Sequence, residues 1–395
     1  MHGPGPAAFR ALSMRPLHVL TLTPFYPNKN DETSGYFVAE PLVEIAGCGI
    51  SNSVIAVQPT HRGKVEPSSA APPANWIRYF SLPSGIGLST AGAFLFSRML
   101  GSVRDLHRSH PIDVVHAHAP LPCGHAAMLL YEELSIPYVV SVHGLDAYSD
   151  IQVRGVAGKW CRRVSSSVFY RAKRVICISE HVRDRVLKRI PDLLNTSVVY
   201  NGVDPEIFCS GDQESSGPPI VLSVGNLIET KGHAILLRAI DLLRKQNVDV
   251  ICEIVGTGSQ RTALERMAIN LGLSVRFLGR LGRRELAEAF RRCTLFALPS
   301  YFEGLGCVYL EAMASERVAI GCTGQGIEEI IRHRVNGWLV EPKNMEDLAL
   351  AISSLVSDQV LRKTLAKRGR QTIIEGLTIS HQAKRLQMIY QETAG

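Results

Sequence analysis

The stretch that decides the fold runs from 297 to 314 and reads Ala-Leu-Pro-Ser-Tyr-Phe-Glu-Gly-Leu-Gly-Cys-Val-Tyr-Leu-Glu-Ala-Met-Ala. It begins as an apolar strand, continues as a loop that carries Glu303, and passes through Gly304 and Gly306 into a helix. Glycines allow a ligand to approach the backbone closely, and a helix N-terminus offers free N–H groups and partial positive charge. This pattern indicates a ligand-binding junction between a strand and a helix.

Two carboxylates belong to this junction. Glu311 lies about a turn and a half into the helix, on the order of 8–12 Å from Glu303 by helical rise. That separation suits two ends of one ligand better than a shared proton or metal. An ionised carboxylate accepts strong hydrogen bonds from vicinal hydroxyl groups, so a sugar is a natural ligand. The alternative is that Glu311 is only a carboxylate on the helix surface.

Outward from this stretch, short apolar runs alternate with helix-length segments along the whole chain. The predicted strands are 18–23, 53–57, 76–80, 113–116, 138–142, 174–178 and 197–200, and then 220–224, 249–255, 275–278, 295–299, 318–321 and 337–340. Continuous apolar strands separated by helices are typical of parallel sheets covered on both faces. We therefore predict an α/β fold of two Rossmann-like αβα domains facing each other across a cleft, which is the default ligand site.

The segment 209–219, Cys-Ser-Gly-Asp-Gln-Glu-Ser-Ser-Gly-Pro-Pro, has no periodic apolar face and is the best linker candidate. We predict a flexible leader at 1–13, an N-terminal domain at 14–205, a linker at 206–219, a C-terminal domain at 220–376 and a final helix at 377–395 that packs back toward the N-terminal domain. Either Met1 or Met14 is the true start.

Composition excludes several classes of protein. The chain has 395 residues, of which 46% are hydrophobic and 20% charged, as expected of a soluble enzyme of two domains. Its nine cysteines form no C-x-x-C pair, which argues against a zinc site and a disulfide framework and favours a reducing cytoplasm. No apolar run reaches the roughly 18–20 residues that span a bilayer.

Positive charge is concentrated in the segment 151–190, which contains eleven Lys or Arg residues against Glu180 and Asp184. Trp160, Phe169 and Tyr170 are interleaved with them. Such a segment attracts phosphates or an anionic membrane surface. A solvated helix face with ordinary neutralisation in three dimensions is an equally good interpretation.

Further candidates lie at other strand ends. Lys231 precedes Gly232 at a strand–loop–helix junction, and His143 directly follows a strand. His116 and His118 alternate along another strand end, and paired histidines at a strand end are often structural. The glycine turn at Gly256 is a lone G-x-G without a third glycine, and no acidic residue stands out at the next strand end, so a nicotinamide cofactor is not expected.

Several motifs in a fixed order carry a resemblance to a known family. They are the E-x7-E of Glu303 and Glu311, together with 26–28, 34–38, 113–118, 141–146, 172–179, 200–204, 223–233, 255–258 and 277–279. Over residues 17–391 the chain resembles glycosyltransferase family 4, retaining enzymes of the GT-B fold. It looks most like the branch that contains teichuronic-acid and exopolysaccharide transferases.

The resemblance implies a donor site for a nucleoside-diphosphate sugar. Glu303 would bind donor-sugar hydroxyls, Glu311 the ribose, and Lys231 would neutralise the diphosphate as it departs. His143 would face the donor sugar. The complete donor-binding set would be Gly35, Asn226, Lys231, Gly256, Leu278, Glu303, Gly304, Leu305, Gly306, Cys307 and Glu311.

The acceptor side is less defined by the resemblance. His118 and Asp146 are its candidates, and the acceptor would be a sugar or a lipid-linked oligosaccharide. No metal is expected, because no D-x-D motif appears at a strand end, and neither a further cofactor nor a nucleic acid is expected. We expect a cytoplasmic enzyme, or one peripheral on the inner face of the plasma membrane.

The chain departs from the family at Asn226, where most members carry Arg. One fixed positive charge on the diphosphate is therefore missing, and Arg280 or Arg283 is a candidate to replace it. Two alternatives stay open: a sugar-nucleotide epimerase of the same fold, which needs no acceptor, and a catalytically silent partner subunit of a polysaccharide assembly complex. The implied reaction is transfer with retention of configuration through an oxocarbenium-like state. The sugar, the base and the acceptor are not defined by the sequence.

Overall fold

The computed structural model describes residues 15–63, 65–68, 71–82, 85, 87–144, 153, 155–211 and 217–395. The predicted leader 1–13, the alternative start at Met14 and the candidate Asp146 lie outside these residues. Among the described residues, none of the helices combines the length and the hydrophobicity that crossing a membrane requires.

Two parallel sheets organise the chain, and they confirm the predicted α/β architecture of two Rossmann-like domains. The first sheet contains β1 (His18–Thr23), β2 (Ser51–Pro59), β3 (Asn75–Tyr79), β4 (Val114–His118), β5 (Tyr138–Val142), β6 (Arg174–Cys177) and β7 (Thr196–Val198). The second contains β8 (Ile220–Val224), β9 (Ile251–Val255), β10 (Val275–Gly279), β11 (Leu295–Ala297), β12 (Ala319–Cys322) and β13 (Trp338–Val340).

Helices cover both faces of each sheet. In the N-terminal domain they are α1 (Tyr36–Gly47), α2 (Leu88–Ser109), α3 (His125–Leu134), α4 (Gly155–Arg171) and α5 (Glu180–Leu187). In the C-terminal half they are α6 (His233–Lys245), α7 (Arg261–Asn270), α8 (Arg283–Arg292), α9 (Cys307–Ala314), α10 (Met345–Ser357), α11 (Gln359–Gly376) and α12 (Ile379–Ala394). Strands β1, β4, β5 and β8 are buried throughout, as strands covered on both faces must be.

The strand orders define where ligands bind. The sheets have the orders β3-β2-β1-β4-β5-β6-β7 and β10-β9-β8-β11-β12-β13. The order reverses between β1 and β4 in the first sheet and between β8 and β11 in the second. Open α/β sheets bind ligands at such switch points, outside the carboxyl ends of the strands. A ligand is therefore expected at the segments that follow these four strands.

Most predicted strand bounds differ from the structure by one or two residues, and two differences concern the segments beside the cleft. The strand predicted at 295–299 ends at Ala297, just before the loop that carries the carboxylate of Glu303. The short helix predicted at 327–332 is a single 3₁₀ turn, Gly326–Glu329. Glu329 turns away from its own domain and accepts hydrogen bonds from the N–H groups of Glu180 and His181 at the start of α5. An interdomain contact of this kind has no local sequence signal.

The end of the chain lies on the N-terminal domain. Helix α12 packs against α1, and its residues Ala383, Leu386, Ile389 and Tyr390 share a hydrophobic cluster with the first sheet. The chain therefore passes between the domains twice, once near Val203 and once near Thr378. These two residues form a parallel β-bridge.

Candidate active site

A cavity of about 360 Å³ lies between the carboxyl ends of the two sheets. Residues from both domains line it, as the two-domain architecture predicts. Of the predicted site residues, the cavity brings together His143, Asn226, Lys231, Gly256, Glu303, Leu305, Gly306, Cys307 and Glu311.

The cavity residues of the C-terminal domain form its C-terminal wall, and those of the N-terminal domain form its N-terminal wall. At the centre of the C-terminal wall lies an ion pair between Lys231 and Glu303. Their side chains are only 18% and 12% exposed. The loop of Glu303 is held from behind by Gln325, whose side-chain oxygen accepts a hydrogen bond of 2.9 Å from the Glu303 N–H. An ammonium group and a carboxylate at the floor of a cavity can contact an anion and a hydroxyl-bearing group, respectively.

The helix α9 starts at the same wall. Gly306 precedes it with φ of 82°, and a Cβ there would lie 2.6 Å from the Tyr309 ring, so no other residue fits without strain. Cys307, the first helical residue, has its pKa raised to about 11 by burial, with the charge of Glu311 adding to the effect. The thiol is therefore protonated at neutral pH and adds no negative charge at the helix N-terminus.

Glu311 lies inside α9 and is 1% exposed. It belongs to a partly buried triad in which the guanidinium of Arg283 contacts both Glu311 and Glu40. The two bonds from Arg283 to the carboxylate of Glu40, in α1, measure 2.7 and 2.8 Å. The other oxygen of Glu311 has no hydrogen bond among the described residues. The ring of Tyr36 stacks on Arg283, with its centroid 3.8 Å from the guanidinium carbon.

The triad joins the two walls of the cavity electrostatically. Burial alone would lower the pKa of Arg283, but the carboxylates of Glu311 and Glu40 raise it, so the guanidinium stays charged. Burial raises the pKa of Glu40. Because one cation stands between two carboxylates, the removal of Arg283 would leave two buried negative charges close together.

The N-terminal wall carries histidines instead of charges. The Nε2 atom of His143 lies 2.9 Å from the Nδ1 atom of His118, and His116 lies beside them with its ring centroid 4.2 Å from that of His118. His116 in turn bonds the hydroxyls of Tyr390 at 2.6 Å and Ser141 at 2.7 Å. Burial lowers the pKa of His116 and of His143 to about 3, and it lowers the pKa of His118 well below its usual range. All three rings are neutral at pH 7.

Some predicted residues lie outside the lining of this cavity. His118 lies behind His143, and Leu278 lies within β10. Gly304 faces the N-terminal domain, where the hydroxyl of Ser179 donates a hydrogen bond of 2.6 Å to its carbonyl. Gly35, with φ of 69°, caps α1, and a Cβ there would lie 2.2 Å from the backbone of Phe25. Gly35 therefore shapes the turn that brings its neighbours Thr33 and Tyr36 to the cavity.

Asn226 lines the cavity together with Lys231. Arg280 and Arg283, the two candidates to replace the Arg expected at position 226, line it as well. Arg280 pairs with Asp31 of the opposite domain at 2.7 Å and donates to the hydroxyl of Thr257 at 3.3 Å. Arg280 is 45% exposed and has one carboxylate partner, whereas Arg283 is 15% exposed and has two.

Sequence reasoning missed the contribution of α1 and of the loop after β7. Tyr36 and Phe37 line the cavity, and Glu40 holds Arg283 one turn further along the same helix. Tyr36 and Glu40 are four residues apart, so they share a helix face directly after the predicted turn at Gly35, and this spacing is a signal that could have been read. Asn201, which donates to the sulfur of Cys307 at 3.3 Å, gave no such signal.

Two family models match the chain. The model "Glycosyl transferases group 1" matches residues 210–372, and the model "Glycosyltransferase Family 4" matches residues 47–207. The first match contains Lys231, Glu303 and Glu311, and the second contains His118 and His143. The two halves of the cavity are thus each covered by a model of sugar-transferring enzymes.

Known proteins resemble the chain over most of its length. An uncharacterized glycosyltransferase of Methanocaldococcus jannaschii is 30% identical over 269 residues, which are 68% of this chain and 72% of that protein. A Bacillus subtilis protein named as a teichuronic acid biosynthesis glycosyltransferase is 25% identical over 95% of this chain and 98% of its own. The structure of HepE from Anabaena in complex with UDP superposes with a TM-score of 0.74 and 18% identity, over 95% of this chain and 100% of HepE. The structural likeness confirms the predicted GT-B fold.

Proposed function

The chain belongs to the group 1 and family 4 glycosyltransferases, and on that premise we propose that it moves a sugar from a nucleoside-diphosphate sugar to an acceptor hydroxyl with retention of configuration. The observation that carries the proposal is the buried pair of Lys231 and Glu303 beside the start of α9. A cation and a helix N-terminus suit the diphosphate of such a donor, and the carboxylate suits the sugar hydroxyls.

The nucleoside would lie along α9. In this arrangement Glu311 accepts hydrogen bonds from the ribose through its oxygen that has no partner among the described residues. Lys231 stabilises the negative charge that accumulates on the departing diphosphate, which is the demanding part of the reaction. The UDP bound to HepE, a protein of the same fold, supports a nucleotide of this kind as the ligand of the cavity.

The positions of the carboxylates in the cavity support retention of the anomeric configuration. Glu303 and Glu311 are both on the C-terminal wall, and the described lining residues of the N-terminal wall include no carboxylate. A nucleophilic carboxylate on the face opposite the leaving group is therefore not provided by the described lining. We propose front-face attack, in which the leaving phosphate takes the proton of the acceptor hydroxyl, while neutral His143 hydrogen-bonds the donor sugar.

We also propose that no metal is required, because the cations that face the donor come from Lys231, Arg280 and Arg283. The relative in teichuronic acid biosynthesis favours a cell-surface polysaccharide or glycolipid as the product.

The decisive experiment is a donor screen. The purified chain would be incubated with UDP-, GDP- and ADP-sugars, with thermal shift and nucleotide release as readouts. We expect one nucleotide class to stabilise the chain and to be released, and release to persist in EDTA. Glu303→Gln should abolish release, whereas Glu346→Gln at the start of α10, far from the cavity, should not. Conversion of the donor to an epimer without acceptor would establish the epimerase alternative, and binding without turnover in any acceptor mixture would favour the silent subunit.

A membrane surface is a second part of the proposal and rests on α4. Lys159, Trp160 and Arg163 are exposed on this helix, with Val156 84% exposed beside them. The structure narrows the predicted basic segment, because Arg171 pairs with Glu132 and Arg183 pairs with Glu180. Cosedimentation with phosphatidylserine vesicles should fall when Lys159 and Arg163 are reversed to Glu. Equal sedimentation of Lys173→Glu and of that double variant would refute a role of this face.

A further inference from the structure

A cavity of about 490 Å³ lies where the chain passes between the two domains, and we call it the hinge cavity. Its lining comes from residues between 329 and 336, from α11, from Tyr200 after β7 and from Arg385 on α12. Among the described residues, it shares no lining residue with the donor cavity, the cavity of about 360 Å³ that we assign to the donor. A concave site of this volume suits a small molecule.

Three arginines line the hinge cavity. Arg332 lies in the loop before β13, Arg368 on α11 and Arg385 on α12. Within the described chain, none of their guanidinium groups forms an ion pair with a carboxylate. Guanidinium groups present paired N–H donors that match the oxygens of a phosphoryl group. Three of them around one cavity therefore suit a phosphorylated anion.

The two carboxylates of the lining have other partners. Glu329 accepts a hydrogen bond of 2.9 Å from the hydroxyl of Tyr200, in addition to those from the N–H groups at the start of α5. Glu375 accepts a hydrogen bond of 2.7 Å from the side-chain amide of Gln371. Both carboxylates are thus bound by neutral donors and not by the three arginines, which leaves the guanidinium groups available to an anion.

A buried asparagine orders the C-terminal side of the hinge cavity. Asn336 is 5% exposed, and its side-chain amide donates to the carbonyl of Ile330 at 3.0 Å and to the hydroxyl of Thr372, on α11, at 3.1 Å. Its side-chain oxygen accepts a hydrogen bond of 2.7 Å from the N–H of Arg332. The loop of Arg332 is therefore fastened to the helix that carries Arg368. A site on such an ordered backbone loses little entropy when it binds a ligand.

The hinge cavity is connected to the donor cavity at two places. Tyr200 lines the hinge cavity, and the next residue, Asn201, lines the donor cavity. Glu329 ends the 3₁₀ turn, and Gln325, which directly precedes this turn, accepts the N–H of Glu303. A ligand in the hinge cavity therefore lies against the turn that positions the carboxylate of the donor site.

We propose that the hinge cavity is a regulatory site for a small phosphorylated anion, which is bound by Arg332, Arg368 and Arg385. Arg385 belongs to the helix that packs on the N-terminal domain, whereas the other two arginines belong to the C-terminal half, so the bound anion links both domains. It stabilises the arrangement in which Glu329 contacts α5, and it thereby strengthens nucleotide binding in the donor cavity. The binding site stands without the proposed function, but its effect on the nucleotide rests on that function.

The test is calorimetric titration with pyrophosphate, phosphoenolpyruvate and citrate in the presence of saturating UDP, which occupies the donor cavity. We expect a phosphorylated probe to bind the wild type more tightly than citrate, whose charge is carried by carboxylates alone. Arg332→Ala and Arg368→Ala, both exposed changes, should each weaken that probe about tenfold, because a charge-assisted hydrogen bond is lost. Arg238→Ala is the matched control. It removes an exposed arginine of α6 that lines neither cavity, and it should bind like the wild type.

A second titration measures the affinity for UDP with and without the bound probe. We expect the probe to tighten UDP binding about fivefold in the wild type. Tyr200→Phe, which removes the hydrogen bond to Glu329, should keep the probe affinity and lose most of this gain. Equal UDP affinity with and without the probe would overturn the regulatory role.

The outcomes for the hinge cavity and for the donor cavity are distinguishable. Equal probe affinity in Arg368→Ala and Arg238→Ala, tighter binding of citrate than of both phosphorylated probes, or no binding of either phosphorylated probe would overturn the site. If the wild type does not bind UDP, the donor proposal fails instead. The same arginine variants, titrated without nucleotide, then still decide whether the anion binds in the hinge cavity.

Discussion

The two walls of the cleft differ in the charge of their side chains. The C-terminal wall carries charge, since Lys231 pairs with Glu303 and Arg283 with Glu311, and all four side chains are less than 20% exposed. The N-terminal wall carries the neutral ring of His143 and the aromatic rings of α1. We infer that the C-terminal wall supplies the electrostatic work on the leaving group, and that the N-terminal wall orients the sugar and the acceptor.

The strongest test of this division is Lys231→Ala. We expect the rate of transfer to fall by about 10²–10³, the usual effect of removing one preorganised electrostatic group from a transition state. Donor affinity should change less, because the charge on the leaving group develops during the reaction. The measurement is kcat and KM for the donor identified by the nucleotide screen.

The control is Lys367→Ala, which removes an exposed lysine of α11 at a distance from the cleft. A fall of less than about fivefold in Lys231→Ala would contradict the assignment of the leaving group to the C-terminal wall.

The second test concerns the bridge in which Arg283 contacts Glu311 of its own domain and Glu40 of the opposite one. Arg283→Met should lower the free energy of unfolding by about 3 kcal/mol, because Glu40 and Glu311 would be left buried without a cation. Adding Glu40→Gln should recover part of the loss. Denaturant unfolding of the wild type, both single variants and the double variant gives the coupling energy directly.

If the effects of Arg283→Met and Glu40→Gln are additive, the bridge is not an energetic unit and the two walls are independent in stability. If the coupling is about 1 kcal/mol or more, the bridge is an energetic unit that stabilises the contact between the two walls.

The difference between the walls also explains how much the sequence could predict. Both sheets and the C-terminal wall follow from local pattern, since Glu303, Gly306 and Glu311 lie within nine residues and their strand–loop–helix setting is readable. The N-terminal wall depends on the strand order of the sheet. His118 and His143 are 25 residues apart in the chain, and they meet because β4 and β5 are neighbours in the sheet. Gln325 acts from behind the cleft through a contact that leaves no periodicity. The spacing of Tyr36 and Glu40 marks a shared helix face, but it does not identify Arg283 as the partner of Glu40. Residue types were visible at these positions, but their partners were not.

The third test uses the neutrality of the N-terminal wall. Histidine in the unfolded chain titrates near pH 6.5. Burial lowers the pKa of His116 and His143 to about 3 in the folded chain. Between about pH 6.5 and 3 the unfolded chain binds protons that the folded chain does not, so the free energy of unfolding falls as the pH falls. Each such histidine adds a slope of at most about 1.4 kcal/mol per pH unit.

His116→Gln should therefore be less stable at pH 7 but should lose less stability on acidification. Ser141→Ala is the matched control, because it removes the hydroxyl bonded to His116 at 2.7 Å without removing a titratable group. Its stability should be lower at every pH with the wild-type slope. Identical slopes in the two variants would show that His116 takes up protons in the folded state, and the N-terminal wall would not be neutral in acid.

The smallest expected effect concerns Asn226, the position where the resemblance to the family leads us to expect Arg. Asn226 and Arg280 both line the donor cavity, and Arg280 is 45% exposed with Asp31 as its carboxylate partner. If Arg280 already supplies the missing charge, Asn226→Arg should improve UDP affinity by no more than about threefold, since two neighbouring guanidinium groups repel each other. In an Arg280→Ala background the same change should improve affinity by about tenfold, which is roughly 1.4 kcal/mol. Calorimetric titration of UDP into the four proteins measures both steps. Equal gains in the two backgrounds would mean that Arg280 does not reach the diphosphate, and the search for the compensating cation would move to Arg283 and to the bridge between the walls.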